Sequence, residues 1–382
     1  MTGVQTCALP ILPSVFQTPG GDIAANLASY GSLHILEGDG SDPKDAAVKI
    51  SQAVQHVRDE GPCLLRMKVA RLAGHTFIDD QAYKSPEQLA DDAARDPLPR
   101  VRALFSADEW ESIQGEVVKE LTDSLAQAET QPEPDPDSAS THLFYQGLPS
   151  LVGGLRSETT LPLLGPSDLG PRVNLIDAVR RTLEVEMARD PRIVVFGEDV
   201  GVKGGVHGAT LDMQPKFGAD RVFDTSLSEE GIMGRAQGMA YAGLMPVPEI
   251  QFRKYADPAH EQINDIGTVR RRTANKFAAP MVVRIPVGYG KKTGDPWHSF
   301  SAEAVFAHTL GWRIAIPSNA ADAVGLLRTA LRGDDPTFFF EHRALLDTAP
   351  ARRPYPGDDY CLPFGQAATL TQGEALTVVT WG

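Results

Sequence analysis

The spacing of hydrophobic and polar residues in the first third of the chain predicts a helix, then a strand, then more helices. Asp42 precedes Pro43, an order typical of a capped helix start, and apolar residues recur at helical spacing over 47–57. The apolar run 63–69 predicts a short strand, and amphipathic spacing over 86–128 predicts two or three further helices. This mixture is typical of part of an α/β domain.

A second patterned stretch begins at residue 173, where apolar runs of strand length alternate with amphipathic segments. The predicted strands are 192–197, 246–252 and 281–286, and the predicted helices are 173–188, 229–243 and 258–275. Strands that alternate with helices predict a parallel sheet with helices on both faces, so the fold class is α/β.

These patterns divide the chain into four parts. Residues 1–11 resemble a translated sequencing adapter and are excluded from fold reasoning, with a frayed native terminus as the alternative. Residues 12–126 form the closing part of one α/β domain, the proline-rich segment 127–170 predicts an extended linker, and 171–382 form a second α/β domain. The last residues, 375–382, predict a buried strand.

Composition narrows the classes of function. The chain has 382 residues, of which 42% are hydrophobic and 23% charged, as in ordinary globular domains. A formal charge of -14 argues against a nucleic-acid partner, which would require clustered Lys and Arg. The cysteines have neither metal-ligand nor CxxC spacing, and no apolar run approaches the roughly 20 residues of a membrane helix. We therefore expect a cytoplasmic protein without a membrane partner.

The most informative motif places a carboxylate just after a predicted strand end. Open parallel sheets bind ligands at the carboxyl ends of their strands, which makes Glu229, within the run 223–231, the first candidate for chemistry. Four further motifs accompany it: Gly197–Gly201, Glu249–Phe252, Pro296–Ser299 and Pro336–His342. Together the five motifs resemble the beta half of the thiamine-diphosphate-dependent decarboxylating dehydrogenase of the 2-oxoacid dehydrogenase complexes.

The resemblance covers two parts of the chain. Residues 14–110 resemble the tail of the family's alpha subunit, a diphosphate-binding domain, and 171–382 resemble the transketolase-like pyrimidine-binding domain of its beta subunit. The order implies an alpha-beta fusion, with thiamine diphosphate between the two domains. By resemblance, Glu229 holds the ring nitrogen of the cofactor's aminopyrimidine protonated, a task that a desolvated carboxylate suits. The alternative, an exposed charge at a helix N-terminus, suits Glu230 better.

Two aromatic side chains of the second domain are further candidates. His298 matches the family's active-site histidine, which implies proton handling or positioning of the acyl group. A single histidine is usually structural or exposed, and that alternative stays open. Tyr255 matches an aromatic residue that lines the pyrimidine pocket, although aromatic residues near strand ends are often plain core.

The first domain contributes Arg71 and His75, which resemble a loop that closes over the cofactor. The resemblance implies that both lie near the diphosphate, where a cation and an imidazole are suitable. A metal ligand or a solvated loop is the alternative. Thr76 matches the place of a regulatory phosphoserine in relatives.

We assign no metal ligand in this sequence. Residues 38–40 begin like the family's magnesium motif but lack its asparagine pair, so the Mg²⁺ ligands are expected in an alpha region outside these residues. The family's potassium site is uncertain here, because Gly333 stands where relatives have an acidic residue, although Asp335 could contribute.

The resemblance implies oxidative decarboxylation of a 2-oxoacid and transfer of the acyl group to a lipoyl-lysine of the acyltransferase component. A branched-chain 2-oxoacid is favoured, with pyruvate and acetoin as alternatives, since a methylene group changes binding by only about 1–3 kcal/mol. We expect a homo-oligomer at full length and no activity from the 382 residues alone. The alternative from a different class is a noncatalytic assembly module that retains the fold.

Overall fold

The computed structural model describes residues 18–74, 79–146, 151–152, 159–162, 164–290 and 296–382. The chain forms two compact units, of which one ends at Glu133 and the other runs from Pro134 to Gly382. Neither unit has a described helix that is both long enough and apolar enough to cross a bilayer.

Among its described residues, the N-terminal unit contains a small parallel sheet, five α-helices and a 3₁₀ turn at Pro19–Gly21. Its strands β1 (His34–Asp39) and β2 (Cys63–Lys68) pair in parallel. The helices are Ile23–Leu27, Pro43–Asp59, Pro86–Ala94, Pro97–Arg102 and Ala107–Glu129. The predicted cap is confirmed, because the Asp42 side chain accepts hydrogen bonds from the backbone amides of Lys44 and Asp45.

The C-terminal unit contains a larger sheet and more helices. Its strands are β3 (Leu151–Val152), β4 (Thr159–Thr160), β5 (Arg172–Val173), β6 (Ile193–Gly197), β7 (Val222–Asp224), β8 (Met245–Glu249), β9 (Val282–Val287), β10 (Arg313–Ala315), β11 (Thr337–His342) and β12 (Arg353–Pro354). Its α-helices are Leu175–Arg189, Met213–Phe217, Glu229–Tyr241, His260–Arg272, Ala304–Ala307 and Ala320–Arg332. Short 3₁₀ turns lie at Pro136–Ser140, Arg253–Ala259, Pro296–His298 and Ala349–Ala351.

Six of these strands form one sheet in the order β10-β11-β9-β8-β6-β7, and all of its pairs are parallel. One face packs against the helices Leu175–Arg189 and Ala320–Arg332, and the other against Glu229–Tyr241 and His260–Arg272. The predicted parallel sheet with helices on both faces is confirmed. Because the strands are parallel, the residues that follow β6, β7, β8, β9 and β11 meet at one edge of the sheet.

The end of the chain differs from the prediction. Residues 375–382 were predicted to be a buried strand, yet they have no strand structure, and Leu376 and Val379 are 78% and 79% exposed. Apolar alternation marks a strand only if a neighbouring strand is available to pair with it. Trp381 instead donates a hydrogen bond from its indole nitrogen to Glu303.

Candidate active site

Glu229 lies at the carboxyl edge of the sheet as the first residue of the helix Glu229–Tyr241, which follows β7. The side chain of Ser228 caps this helix by accepting a hydrogen bond from the amide of Gly231 at 3.3 Å. Glu229 is 8% exposed, whereas its neighbour Glu230 is exposed. The described residues include no hydrogen-bond donor to the Glu229 carboxylate, so its burial is not explained by a protein partner.

A second carboxylate, Glu198, faces the same region from the end of β6. One of its oxygens is buried and has no hydrogen-bond partner within the described parts of the chain. Burial raises the pKa of Glu198, and the nearby charge of Glu229 raises it further. The sequence motif contained Glu198, but nothing in it distinguished this residue from the exposed Asp199 beside it.

The turn that carries Glu198 requires a glycine before it. A side chain at Gly197 would bring a Cβ atom to 2.5 Å from the backbone oxygen of Glu249, and Gly197 has a φ of 157°. The strands β6 and β8 therefore approach closely at their carboxyl ends, which places Glu198 over the sheet edge.

His298 and Tyr255 are brought into direct contact. The Tyr255 hydroxyl and the His298 Nε2 atom are 3.1 Å apart, which is a hydrogen bond. The Phe252 ring packs edge-on against His298 at 4.6 Å between ring centroids. The structure therefore brings the two candidates Tyr255 and His298 together, and their roles remain proposals.

Beneath this edge lies a buried ionic triad. Arg284 on β9 contacts Glu249 on β8 at 2.8 Å and Glu341 on β11 at 2.7 Å, and all three side chains are at most 2% exposed. Burial alone would lower the pKa of Arg284, but the charges of Glu341 and Glu249 raise it above its ordinary value. Burial raises the pKa of Glu249. The triad links the three adjacent strands β8, β9 and β11 at this edge of the sheet.

Of the two candidates in the N-terminal unit, Arg71 lies within the described residues and His75 does not. Arg71 is half-buried, and its guanidinium Nε donates a hydrogen bond to the backbone oxygen of Ala73 at 3.2 Å. His75 and Thr76 lie outside the described residues. The predicted roles of Arg71 and His75 remain proposals.

The described residues include no group of three or more His, Cys, Asp or Glu side chains that could hold a metal ion. Asp335, which the sequence offered as a potassium ligand, already binds two guanidinium groups: Arg313 at 2.7 Å and Arg270 at 3.1 Å. The backbone amide of Tyr145 donates to it at 3.0 Å. These donors neutralise and occupy the carboxylate, so Asp335 does not fit a potassium site.

Comparison with known families places this geometry in a class. Residues 172–348 match the family model described as "Transketolase, pyrimidine binding domain", and residues 24–137 match the one described as "Dehydrogenase E1 component". The chain is therefore related to the decarboxylating component of thiamine-diphosphate-dependent 2-oxoacid dehydrogenases, and the resemblance inferred from the sequence is confirmed.

Individual relatives refine the class. The 2-oxoisovalerate dehydrogenase subunit beta of Bacillus subtilis is 42% identical over 211 residues, covering 55% of this chain and 64% of the relative. The 3-methyl-2-oxobutanoate dehydrogenase subunit beta of Mycobacterium tuberculosis is 40% identical, covering 56% and 61%. The pyruvate dehydrogenase E1 component subunit beta of Mycoplasma genitalium is 37% identical, covering 55% and 64%. The chain thus spans less than two thirds of these curated relatives.

Proposed function

We propose that this chain takes part in thiamine-diphosphate-dependent oxidative decarboxylation of a 2-oxoacid, with Glu229 governing the protonation of the cofactor. The observation that carries the proposal is the position of Glu229, a residue only 8% exposed at the carboxyl edge of a parallel sheet, whose carboxylate receives no hydrogen bond from another described residue. Ligands of open parallel sheets bind at this edge. A carboxylate that no described residue pairs is available there to share a proton with a bound ligand.

The residues proposed for this site would hold the pyrimidine half of thiamine diphosphate. When bound, the cofactor supplies from its thiazolium ring the carbanion that attacks the keto carbon. Glu229 would hold a proton at the ring nitrogen of the aminopyrimidine, and Tyr255 would line the ring pocket. His298, hydrogen-bonded to Tyr255, would move protons at the keto group or position the acyl group. Arg71 and His75 would face the diphosphate, which carries the densest negative charge of the cofactor.

The names of the relatives support a substrate class, and the family resemblance suggests the partners. Two of the three relatives above are named for a branched-chain 2-oxoacid, which favours 2-oxoisovalerate over pyruvate or acetoin. The acyl acceptor would be a lipoyl-lysine of a dihydrolipoyl acyltransferase component, and the full-length protein would be a homo-oligomer. Mg²⁺ would accompany the diphosphate with ligands from the alpha-type half. Potassium is not part of the proposal, because Asp335 is occupied by arginines.

Release of carbon dioxide from carboxyl-labelled substrates tests this function in the full-length gene product. With thiamine diphosphate, Mg²⁺ and a dye as electron acceptor, we expect release from 2-oxoisovalerate with a kcat/KM about tenfold or more above that for pyruvate. Omission of thiamine diphosphate should abolish release. A preference for pyruvate would reject the proposed substrate but not the proposed reaction. No release from any 2-oxoacid would reject the function.

A further inference from the structure

Arg343 follows β11 directly, at the same sheet edge as the candidate active site. Its backbone amide donates to the oxygen of Val287 at 2.8 Å, which fixes it beside the end of β9. Gly288 and His298 both belong to the connection between β9 and β10. Arg343 contacts both of these residues. None of the sequence motifs assigned a function to this arginine.

The guanidinium of Arg343 donates hydrogen bonds to two backbone oxygens of this connection. Its Nη1 atom donates to the backbone oxygen of His298 at 2.5 Å and to that of Gly288 at 3.3 Å. The amide of Gly288 also donates to the oxygen of Phe300 at 2.9 Å. Since Gly288 is the first residue after β9, these bonds tie the backbone of His298 to the rigid end of a strand.

The same guanidinium also contacts the aromatic side of the site. Its central carbon lies 5.2 Å from the centroid of the Phe252 ring, a cation–π distance, and Phe252 in turn packs edge-on against the His298 imidazole. The Arg343 Nε atom is buried and has no hydrogen-bond partner among the residues with described positions. A buried donor without a partner costs free energy. The hydrogen bonds of Arg343 to Gly288 and His298 must outweigh that cost.

We propose that Arg343 is a positioning residue, which holds the backbone of His298 so that the imidazole meets the Tyr255 hydroxyl. The hydrogen bond between these two side chains spans 3.1 Å and tolerates little displacement, because such bonds weaken steeply beyond normal length. Displacement of the connection would therefore separate the ring from Tyr255. That His298 acts in the reaction rests on the proposed function, but its placement by Arg343 does not.

Nuclear magnetic resonance of the histidine rings in the 382-residue chain tests this placement without any turnover. The chain has nine histidines, so the His298 signal is assigned by its loss in His298→Gln. Tyr255→Phe supplies the reference shift for a ring without the hydrogen bond. We expect Arg343→Met to move the His298 signal towards that reference. The signals of His207, which feels the charge of Arg343, and of the adjacent His342 should also change, and the other histidine signals should be retained.

Arg353→Met is the matched control, because the Nη1 of Arg353 also donates to two backbone oxygens, those of Pro350 and Arg352, each at 2.8 Å. It should leave the His298 signal in place. If Arg343→Met does not fold, as judged by circular dichroism, Arg343→Gln replaces it, since glutamine is too short to join the two carbonyls. A His298 signal unmoved in the folded Arg343 variant would overturn the placement.

The same spectra separate this inference from the proposed function. A moved His298 signal together with a full-length protein that releases no carbon dioxide would uphold the placement and reject the enzymatic role. An unmoved signal together with normal release would reject the placement alone.

Discussion

Replacement of Glu229 by glutamine is expected to lower kcat/KM for decarboxylation by the full-length gene product by about 10²- to 10⁴-fold, the usual contribution of a positioned acid or base. Glutamine preserves the shape of the side chain but cannot share a proton with the cofactor's ring nitrogen. Because no described residue donates a hydrogen bond to the Glu229 carboxylate, the substitution removes no protein bond. The thermal unfolding midpoint should therefore remain that of the parent or rise slightly.

Glu230→Gln is the matched control for this experiment. It removes the same charge from the next residue of the same helix turn, but Glu230 is exposed rather than buried. We expect near-parental kcat/KM, since an exposed charge at a helix N-terminus contributes only about 0.3–1 kcal/mol to helix stability. Equal losses of turnover in the two variants would indicate a general effect of charge on the helix and would reject the assigned role of Glu229.

Arg284→Met is expected to destabilise the C-terminal unit by about 3–5 kcal/mol, the usual cost of leaving buried charges uncompensated. Two buried carboxylates, Glu249 and Glu341, would lose their only cationic contact that the structure describes. Urea unfolding followed by tryptophan fluorescence measures this change, because Trp312 is 4% exposed within the core of the unit. Arg352→Met removes an exposed ion pair with Asp347 and should cost only about 0–1 kcal/mol.

The loss in Arg284→Met should depend on pH. Burial already raises the pKa of Glu249, and removal of the guanidinium, whose charge lowers that pKa, would raise it further. A carboxyl group whose pKa is higher in the folded state than in the unfolded state favours folding at low pH, and this contribution is lost as pH rises through the folded pKa. The deficit relative to the parent should therefore be smaller at pH 5 than at pH 8. An equal deficit at both values would mean that the carboxylates are not the source of the instability.

Features set by neighbours in the sequence could be predicted from it. The cap at Asp42 needs only the amides of the next few residues, and the alternation of strands with helices after residue 173 needs only local periodicity. The position of Glu229 after a strand was predicted in the same way. The roles suggested for the site residues came from the family resemblance and not from periodicity.

Features set by the order of strands in the sheet could not be predicted. Arg284 is 35 residues from Glu249 and 57 from Glu341, and these side chains meet only because β9 lies between β8 and β11. The contact of Arg343 with His298 depends on the same pairing of β9 with β11. Hydrophobic spacing identifies strands but does not give their neighbours, which is also why residues 375–382 were wrongly predicted to be a buried strand.

We propose that the Glu229 carboxylate promotes loss of the proton from the reactive thiazolium carbon, C2, of bound thiamine diphosphate. Hydrogen–deuterium exchange at that carbon, measured by quenching and proton magnetic resonance on the full-length gene product, tests it most directly. We expect Glu229→Gln to slow this exchange by about 10²-fold or more while the cofactor stays bound. Exchange at the parental rate in the cofactor-loaded variant would contradict it.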